Sequence, residues 1–350
     1  MSAPSPAANP LLLGQEVAER RWRQVLDSGR VPHGWLLTGP PGIGKATLAY
    51  RMARRLLAGR GAPADSDDPA SAVFRMVASG GHPDLKVIDE PISPEDGKPK
   101  ANVPVKLVRQ RMDEMYRTAA MDGQRVLLLD PTVDLGASSA NALLKLLEEP
   151  PPGVILIIVA QPFLALPPTI ASRCARLRLR PLPTATVIEG LRQLAPDIGG
   201  DEAGKLAELA GGSIGRALFL HGIDWPAQYG RVLAELGEGR VIEVAERLLK
   251  LAGKAGGILV AADLLGHVVL RAARHAAGRP PGLALSPDEP RVLAALAGAR
   301  SLDRCVALWD KLRSSAVQAE ALNLDPMQTL VGLAHGLVTP PAGGRPASAR

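Results

Sequence analysis

A glycine-rich segment between an apolar run and a helical pattern constrains the fold of this chain most strongly. Residues 39–47 read GPPGIGKAT, which fits G-x-x-x-x-G-K directly after the apolar residues 35–37. In this context glycines let backbone N–H groups turn towards phosphate oxygens, and the helix that follows adds partial positive charge. A chance glycine-rich turn is the alternative. The pattern predicts a phosphate loop whose nucleotide contacts are Gly39, Gly42, Gly44, Lys45 and Thr47.

Two positions near this loop argue against ATP hydrolysis. Ala46 follows Lys45, where a Ser or Thr hydroxyl would coordinate Mg²⁺. Thr47 is rotated by about 100° around the helix and is a poor substitute. The apolar run 126–130 ends in Asp130, which could approach a metal or cap the strand end, but Pro131 cannot orient an attacking water. We therefore expect a degenerate nucleotide site.

The hydrophobic pattern predicts an α/β front half and an all-helical back half. Runs at 35–37, 126–130 and 154–159 are continuous and apolar, as in parallel strands buried on both faces, and 175–182 alternates Arg with Leu as a closing strand. Helical spacing covers 45–59 and 137–149, and strand signals vanish beyond 184. The prediction includes a polar surface insertion at about 60–104 and disordered tails at 1–10 and 339–350.

Composition limits the cellular setting. Cys174 and Cys305 are too few and too distant for a disulfide framework or a zinc site of clustered thiolates, so we expect a cytoplasmic protein without a metal site. No apolar run approaches the roughly 20 residues that span a bilayer, and we expect no secretion signal. The net charge of +6 leaves contact with a nucleic-acid backbone open.

Several segments resemble the clamp-loader branch of the AAA+ ATPases. These are NALLKLLEEPP at 141–151 and LPPTIASRC at 166–174. The segments 11–15, 28–49 and 79–88 are more similar to delta-prime subunits than to the ATPase motor subunits. The resemblance implies an AAA+ P-loop α/β domain at 11–180, a helical lid at 181–223 and a helical collar at 224–338. The collar would hold subunits together, with stretches such as 258–272 burying apolar faces against partners.

The resemblance also implies roles for single residues. Arg173 would be an arginine finger that acts in trans on ATP bound by a neighbouring subunit. Arg216, in GGSIGRAL, would be a sensor arginine, whereas Val159 and Ala160 stand where a polar sensor residue is expected. His33 could line an adenine pocket or simply pack at the start of a strand. A four-cysteine zinc module known in the family is absent, since no cysteine precedes Cys174.

The implied function is that of a non-hydrolysing delta-prime (stator) subunit of the DNA polymerase III clamp loader, which helps to place the sliding clamp on primed DNA. Its partners would be the gamma/tau motor subunits and the delta subunit, with the clamp reached indirectly and the DNA backbone a further candidate. No cofactor would be required, although bound ATP or ADP that is not hydrolysed stays open. The alternatives are a catalytically active AAA+ motor subunit and a nucleotide-binding protein outside replication.

Overall fold

The computed structural model describes residues 4–59, 64–89, 103–117, 119–121, 124–130, 135–160, 166–253, 257–279, 282–298 and 302–338. The chain divides into two compact units, residues 1–218 and residues 219–350. The finer prediction of a separate lid at 181–223 stays a prediction. Among the described helices, none is both long enough and apolar enough to cross a membrane.

The first unit is built on a five-stranded parallel sheet. Its strands are β1 (Gly34–Thr38), β2 (Leu85–Ile88), β3 (Arg125–Leu129), β4 (Val154–Val159) and β5 (Ala175–Arg178). Their order is β2-β3-β4-β1-β5, and every neighbouring pair is parallel. In the register of the central strands, Leu36 of β1 lies opposite Ile158 of β4 and Arg176 of β5. The predicted α/β fold with parallel strands is confirmed.

Helices cover both faces of this sheet, which explains why its central strands are apolar throughout. Alternate residues of β4 enter two separate cores: Ile155 and Ile157 lie in one, Leu156 and Ile158 in the other. The helices of this unit are α1 (Glu16–Asp27), α2 (Lys45–Leu57), α3 (Ala72–Ala78), α4 (Val105–Met115), α5 (Ala137–Glu148), α6 (Pro168–Ala171), α7 (Thr184–Leu194) and α8 (Gly200–Leu209), with α9 (Ile214–Gly222) crossing the unit boundary.

The prediction of an irregular polar insertion at 60–104 is wrong for two stretches. Residues 72–78 form α3, and residues 85–88 form β2, which pairs with β3 at the edge of the sheet. Only four residues make up β2, and Lys86 interrupts its apolar pattern, so the strand signal is weak. Pairing with β3, whose last four residues are buried, stabilises this strand despite its weak local signal.

The prediction of a disordered amino-terminal tail is also wrong for its described part. Pro6–Ala8 form a one-turn 3-10 helix. The buried guanidinium of Arg54 donates to the carbonyl oxygen of Ala7 at 3.2 Å, and Arg51 donates to that of Pro10 at 2.8 Å. Cations on α2 therefore fix this segment. The predicted tail at 339–350 lies outside the described residues.

The second unit is helical, as predicted. It contains α10 (Trp225–Gly237), α11 (Val241–Ala252), α12 (Gly257–Ala276), α13 (Glu289–Gly298), α14 (Leu302–Ala321) and α15 (Pro326–Val338). The apolar face of α12 is buried within this unit, with Leu265 and Val268 at 0% exposure. The expectation that 258–272 buries this face against partners is therefore wrong, because the chain's own helices already cover it. By contrast, α14 exposes Leu302, Val306, Trp309 and Val317.

Candidate functional site

The predicted phosphate loop joins β1 to α2, as its sequence pattern requires. Gly39, Gly42 and Gly44 have φ angles of 144°, 70° and 98°, a region that glycine adopts without the steric cost that other residues incur. A Cβ atom on Gly39 would lie 2.7 Å from the carbonyl oxygen of Leu179. The glycines therefore serve both the turn and the close approach of neighbouring backbone.

The ammonium group of Lys45 binds the loop itself. Its Nζ donates to the carbonyl oxygens of Gly39 at 2.8 Å and Pro40 at 2.7 Å, and the residue is 4% exposed. Burial lowers the pKa of Lys45 to about 8, while the nearby Asp130 acts in the opposite direction. Thr47 is buried in the first turn of α2, one residue beyond Ala46.

Two acids lie side by side at the carboxyl ends of β2 and β3. Asp130 donates its backbone N–H to the carbonyl oxygen of Ile88 at 2.9 Å, which places it beside Asp89. Burial raises the pKa of Asp130 to about 6; Lys45 lowers it and Asp89 raises it further. Burial and the same two acids raise the pKa of Tyr50 to about 12. Neither Asp89 nor Tyr50 was predicted as a site residue; Asp89 directly follows β2, a strand that the sequence pattern did not predict.

Residues 213–216 pack directly on the phosphate loop. Ser213 Oγ donates to the carbonyl oxygen of Pro41 at 2.9 Å, and the backbone N–H of Gly215 donates to that of Gly42 at 2.9 Å. The N–H of Arg216 donates to Ser213 Oγ at 3.0 Å, so the structure brings the predicted sensor arginine to the loop. Ser213 was not predicted as a site residue, although it lies in the segment GGSIGRAL that contains Arg216.

The amino-terminal segment supports the loop from another direction. The side chain of Gln15, 4% exposed, donates to the carbonyl oxygens of Ile43 at 3.1 Å and Arg180 at 2.9 Å. Leu12 lies so close to Gly44 that a Cβ atom there would be 3.1 Å from its Cδ1. Gln15 was also missed as a functional residue; its signal was the segment LLLGQ.

Arg173 belongs to a different cluster from the loop residues. It follows α6, where its Nη1 donates to the carbonyl oxygen of Thr169 at 3.1 Å and its Nη2 lies 2.9 Å from Glu148 Oε1. Its side chain is 40% exposed. Cys174 beside it is buried, and burial raises the pKa of its thiol to about 11, so this cysteine stays protonated at neutral pH.

The remaining predicted positions carry no polar group towards the loop. Val159 is buried in the core, and Ala160 donates its backbone N–H to the carbonyl oxygen of Leu37 at 2.9 Å. The ring Nε2 of His33 lies 3.0 Å from the carbonyl oxygen of Leu147, as in a packed histidine. Pro131 lies outside the described residues. Within the described part of the chain, no group of three or more His, Cys, Asp or Glu residues could hold a metal ion.

A surface groove of about 500 Å³ lies between α4 and α5. Two cations, an aromatic ring and small polar groups line it, together with one acid and two apolar residues: Arg109, Met112, Asp113, Tyr116, Ser138, Asn141, Ala142 and Lys145. This combination suits an anionic ligand with hydrogen-bond acceptors. The groove was not predicted, although the segment NALLK that forms one wall had been singled out.

Comparison with known proteins identifies the relatives of this chain. The sequence model of the family described as DNA polymerase III, delta subunit, matches residues 14–183. DNA polymerase III subunit delta' of Pseudomonas aeruginosa is 34% identical over 232 residues, which cover 65% of each chain. Subunit delta' of Yersinia pestis is 34% identical over 156 residues, 44% of each chain. Subunit gamma of Buchnera aphidicola subsp. Acyrthosiphon pisum is 30% identical over 215 residues, 60% of this chain and 56% of the relative.

Solved structures are similar at lower identity. The Bacillus subtilis DNA clamp loader delta protein is 11% identical, with a TM-score of 0.33, 91% of this chain and 99% of that chain covered. A gamma-subunit-related protein of Thermotoga maritima is 13% identical, with a TM-score of 0.43 and coverage of 92% and 99%. The chain spans less than two thirds of the length of the curated relatives it matches. The chain thus resembles a delta-prime subunit of DNA polymerase III, and residues 14–183 match the sequence model of the DNA polymerase III delta-subunit family.

Proposed function

We propose that this chain is a non-hydrolysing delta-prime subunit of a DNA polymerase III clamp loader. The observation that carries the proposal is the state of the phosphate loop. Lys45 is bound by the carbonyl oxygens of its own loop and is followed by Ala46, which offers no Mg²⁺ ligand. Phosphoryl transfer needs a metal and an oriented lysine to neutralise the developing charge. The loop therefore supports the sheet without supplying this chemistry.

The alternative of a self-sufficient ATPase motor would require replacements at several positions. Val159 and Ala160 are apolar and cannot position a water. Asp130 lies beside Asp89, but no third metal-binding side chain joins these two acids among the described residues. Bound ATP or ADP is not required for the proposed role. Backbone N–H groups of the loop would suffice to hold phosphates if a nucleotide binds without being hydrolysed.

The active contribution of the chain would be Arg173. Its guanidinium is exposed, and a planar guanidinium can donate two hydrogen bonds to the γ-phosphate of ATP on a neighbouring subunit. An arginine finger of this kind raises turnover by roughly 10³-fold or more. The neighbours would be gamma/tau and delta subunits; gamma and tau subunits are among the relatives of this chain.

Two surfaces would serve assembly and DNA. Arg109 and Lys145 in the groove between α4 and α5 would contact the DNA phosphate backbone, without reading its sequence. The exposed apolar residues of α14, among them Val306 and Trp309, would pack against partner subunits in a helical collar. Contact with the sliding clamp would be indirect. The cytoplasmic location stays a prediction.

The experiment that tests this proposal measures steady-state ATP hydrolysis by the chain alone and then mixed with gamma/tau, delta, clamp and primed DNA. We expect no turnover by the chain alone, and partner-dependent turnover that falls at least 10²-fold with Arg173→Ala. The matched control is Arg192→Ala, because Arg192 is also an exposed arginine paired with one glutamate, Glu189, at 2.7 Å. The control should leave turnover unchanged.

Two other outcomes would replace the proposal. Turnover by the isolated chain that disappears in Lys45→Ala would show a working motor site. Failure of the chain to co-purify with gamma/tau and delta would favour the reading as a nucleotide-binding scaffold outside replication.

A further inference from the structure

We propose that Glu148 holds Arg173 in a resting position and competes with the nucleotide of the neighbouring subunit for its guanidinium group. The inference rests on the proposed function, in which Arg173 acts in trans. Glu148 is then a positioning residue, which lowers the fraction of Arg173 side chains that are free to bind the neighbouring nucleotide.

The contacts of Arg173 occupy both of its terminal nitrogens. Nη2 lies 2.9 Å from Glu148 Oε1, and Nη1 donates to the carbonyl oxygen of Thr169 at 3.1 Å. A guanidinium that grips a phosphate end-on uses these two nitrogens for parallel hydrogen bonds to two oxygens. Arg173 therefore has to exchange its present acceptors for phosphate oxygens before it can stabilise charge in a neighbouring site.

The strength of the contact suits an exchange. The side chains of Arg173 and Glu148 are 40% and 51% exposed, so water screens their attraction, and such pairs contribute little to stability. The carbonyl of Thr169 is a neutral acceptor and competes less than a carboxylate does. The multiply charged triphosphate attracts the guanidinium more strongly than a single carboxylate. Glu148 would thus hold Arg173 without preventing its capture.

The backbone position of Glu148 is set by its helix. It is the last residue of α5, the helix that also supplies Lys145 to the groove. The next residue, Glu149, caps the helix with φ −128° and ψ 65°, outside helical geometry. Its carboxylate forms no ion pair among the described residues. Glu149 therefore provides a control of the same chemistry one residue away.

The test is a double-mutant cycle in the complex reconstituted from the full chain, gamma/tau and delta. We expect Glu148→Gln to raise partner-dependent ATP turnover at low salt roughly two- to five-fold, the range that loss of one exposed ion pair supports. Glu149→Gln should have no effect. The gain should shrink as salt is raised, because salt screens the pair that the substitution removes. In the Arg173→Ala background, Glu148→Gln should change nothing.

The outcomes separate this inference from the proposed function. If Arg173→Ala leaves turnover intact, the proposed function itself fails. If Arg173→Ala lowers turnover while Glu148→Gln matches the wild type or lowers it, the competition is overturned and the proposed function stands. A gain from Glu148→Gln that persists in the Arg173→Ala background would also overturn it. Equal thermal unfolding midpoints of the Gln variants and the wild type establish that the fold is intact.

Discussion

The backbone N–H of Gly215 donates a hydrogen bond to the carbonyl oxygen of Gly42 at 2.9 Å, which joins the start of α9 to the tip of the phosphate loop. The two glycine backbones are so close that a Cβ atom on Gly215 would lie 2.9 Å from the Cα of Gly42. Ser213 reinforces the contact through the carbonyl of Pro41. The phosphate loop thus connects the sheet to the start of α9, and we call this set of contacts, between residues 41–42 and residues 213–215, the joint.

Gly42→Ala should disrupt this joint. The new Cβ would lie 2.5 Å from Ser213 Oγ, which could rotate away only by giving up its hydrogen bond to Pro41. It would also lie 2.9 Å from the backbone nitrogen of Arg216, a contact that no side-chain rotation relieves. We expect a loss of roughly 1–2 kcal/mol from the positive φ and a further roughly 1–3 kcal/mol from overpacking. Hydrogen–deuterium exchange should show faster exchange at residues 213–217.

The control for this substitution is Gly153→Ala. Gly153 has φ 74°, close to that of Gly42, but no atom lies within 4 Å of its Cβ position. Gly153→Ala should lose only the stability that the positive φ costs, and hydrogen–deuterium exchange at residues 213–217 should be unchanged. Equal losses of stability in the two variants would mean that the joint contributes nothing.

Glu289→Gln should strongly destabilise the second unit. Its carboxylate, 1% exposed, accepts from Tyr229 Oη at 2.8 Å and from Arg271 Nε at 2.5 Å. Removing the anion from a buried guanidinium typically costs about 3–5 kcal/mol. The neighbouring substitution Asp288→Asn removes only an exposed pair with Arg291 and should cost less than about 0.5 kcal/mol. Urea unfolding of the two variants checks this, and similar midpoints would refute it.

Asp67→Ala should weaken the packing around α2. Asp67 Oδ1 accepts from Nε of Arg54 at 3.1 Å, and the side chain of Arg54 is fully buried. Burial lowers the pKa of Arg54 and Asp67 opposes that shift, so losing the carboxylate should cost about 3 kcal/mol. Asp68→Ala, at an exposed neighbour, should cost less than about 1 kcal/mol. Urea unfolding provides the comparison, and an equal effect would show that this buried ion pair adds no stability.

Asp130→Asn should change how stability depends on pH. Because the folded state raises the pKa of Asp130 from 3.8 to about 6, this carboxyl stabilises the fold while protonated, and that contribution is lost as pH rises through about 4–6. The variant should lack this loss and be more resistant to urea near pH 7. Asp197→Asn, an exposed control, should retain the wild-type profile. A wild-type profile in Asp130→Asn would contradict the raised pKa.

The same variant should lower the pKa of Lys45 further. Its pKa is lowered from 10.5 to about 8, so the buried cation costs stability below pH 8 and that cost is relieved as pH rises from about 8 to 10.5. Asp130 opposes the shift, so Asp130→Asn should move the pKa of Lys45 further down. NMR titration of the lysine side chain measures this, and an upward movement would rule out the assigned coupling between the two groups.

The sequence by itself determined the local framework. The segment GPPGIGKAT specifies its strand, loop and helix because glycine placement and helical spacing act over a few residues. The absence of a Mg²⁺-binding hydroxyl at Ala46 also follows from the residue type alone. Three apolar runs specify parallel strands because burial on both faces leaves no polar position. Strand β2 was not predicted from the sequence, because four residues that include one lysine carry too little periodicity.

Only the tertiary structure decided which of these parts meet. Pairing of β2 with β3 brings Asp89 beside Asp130, the hydrogen bond from Ser213 to Pro41 joins residues 172 positions apart, and the end of α5 places Glu148 against Arg173. Such contacts arise from the packing of whole elements, and no local pattern specifies them. The residue types therefore predict the local chemistry of this protein, whereas the fold decides which groups contact Lys45 and Arg173.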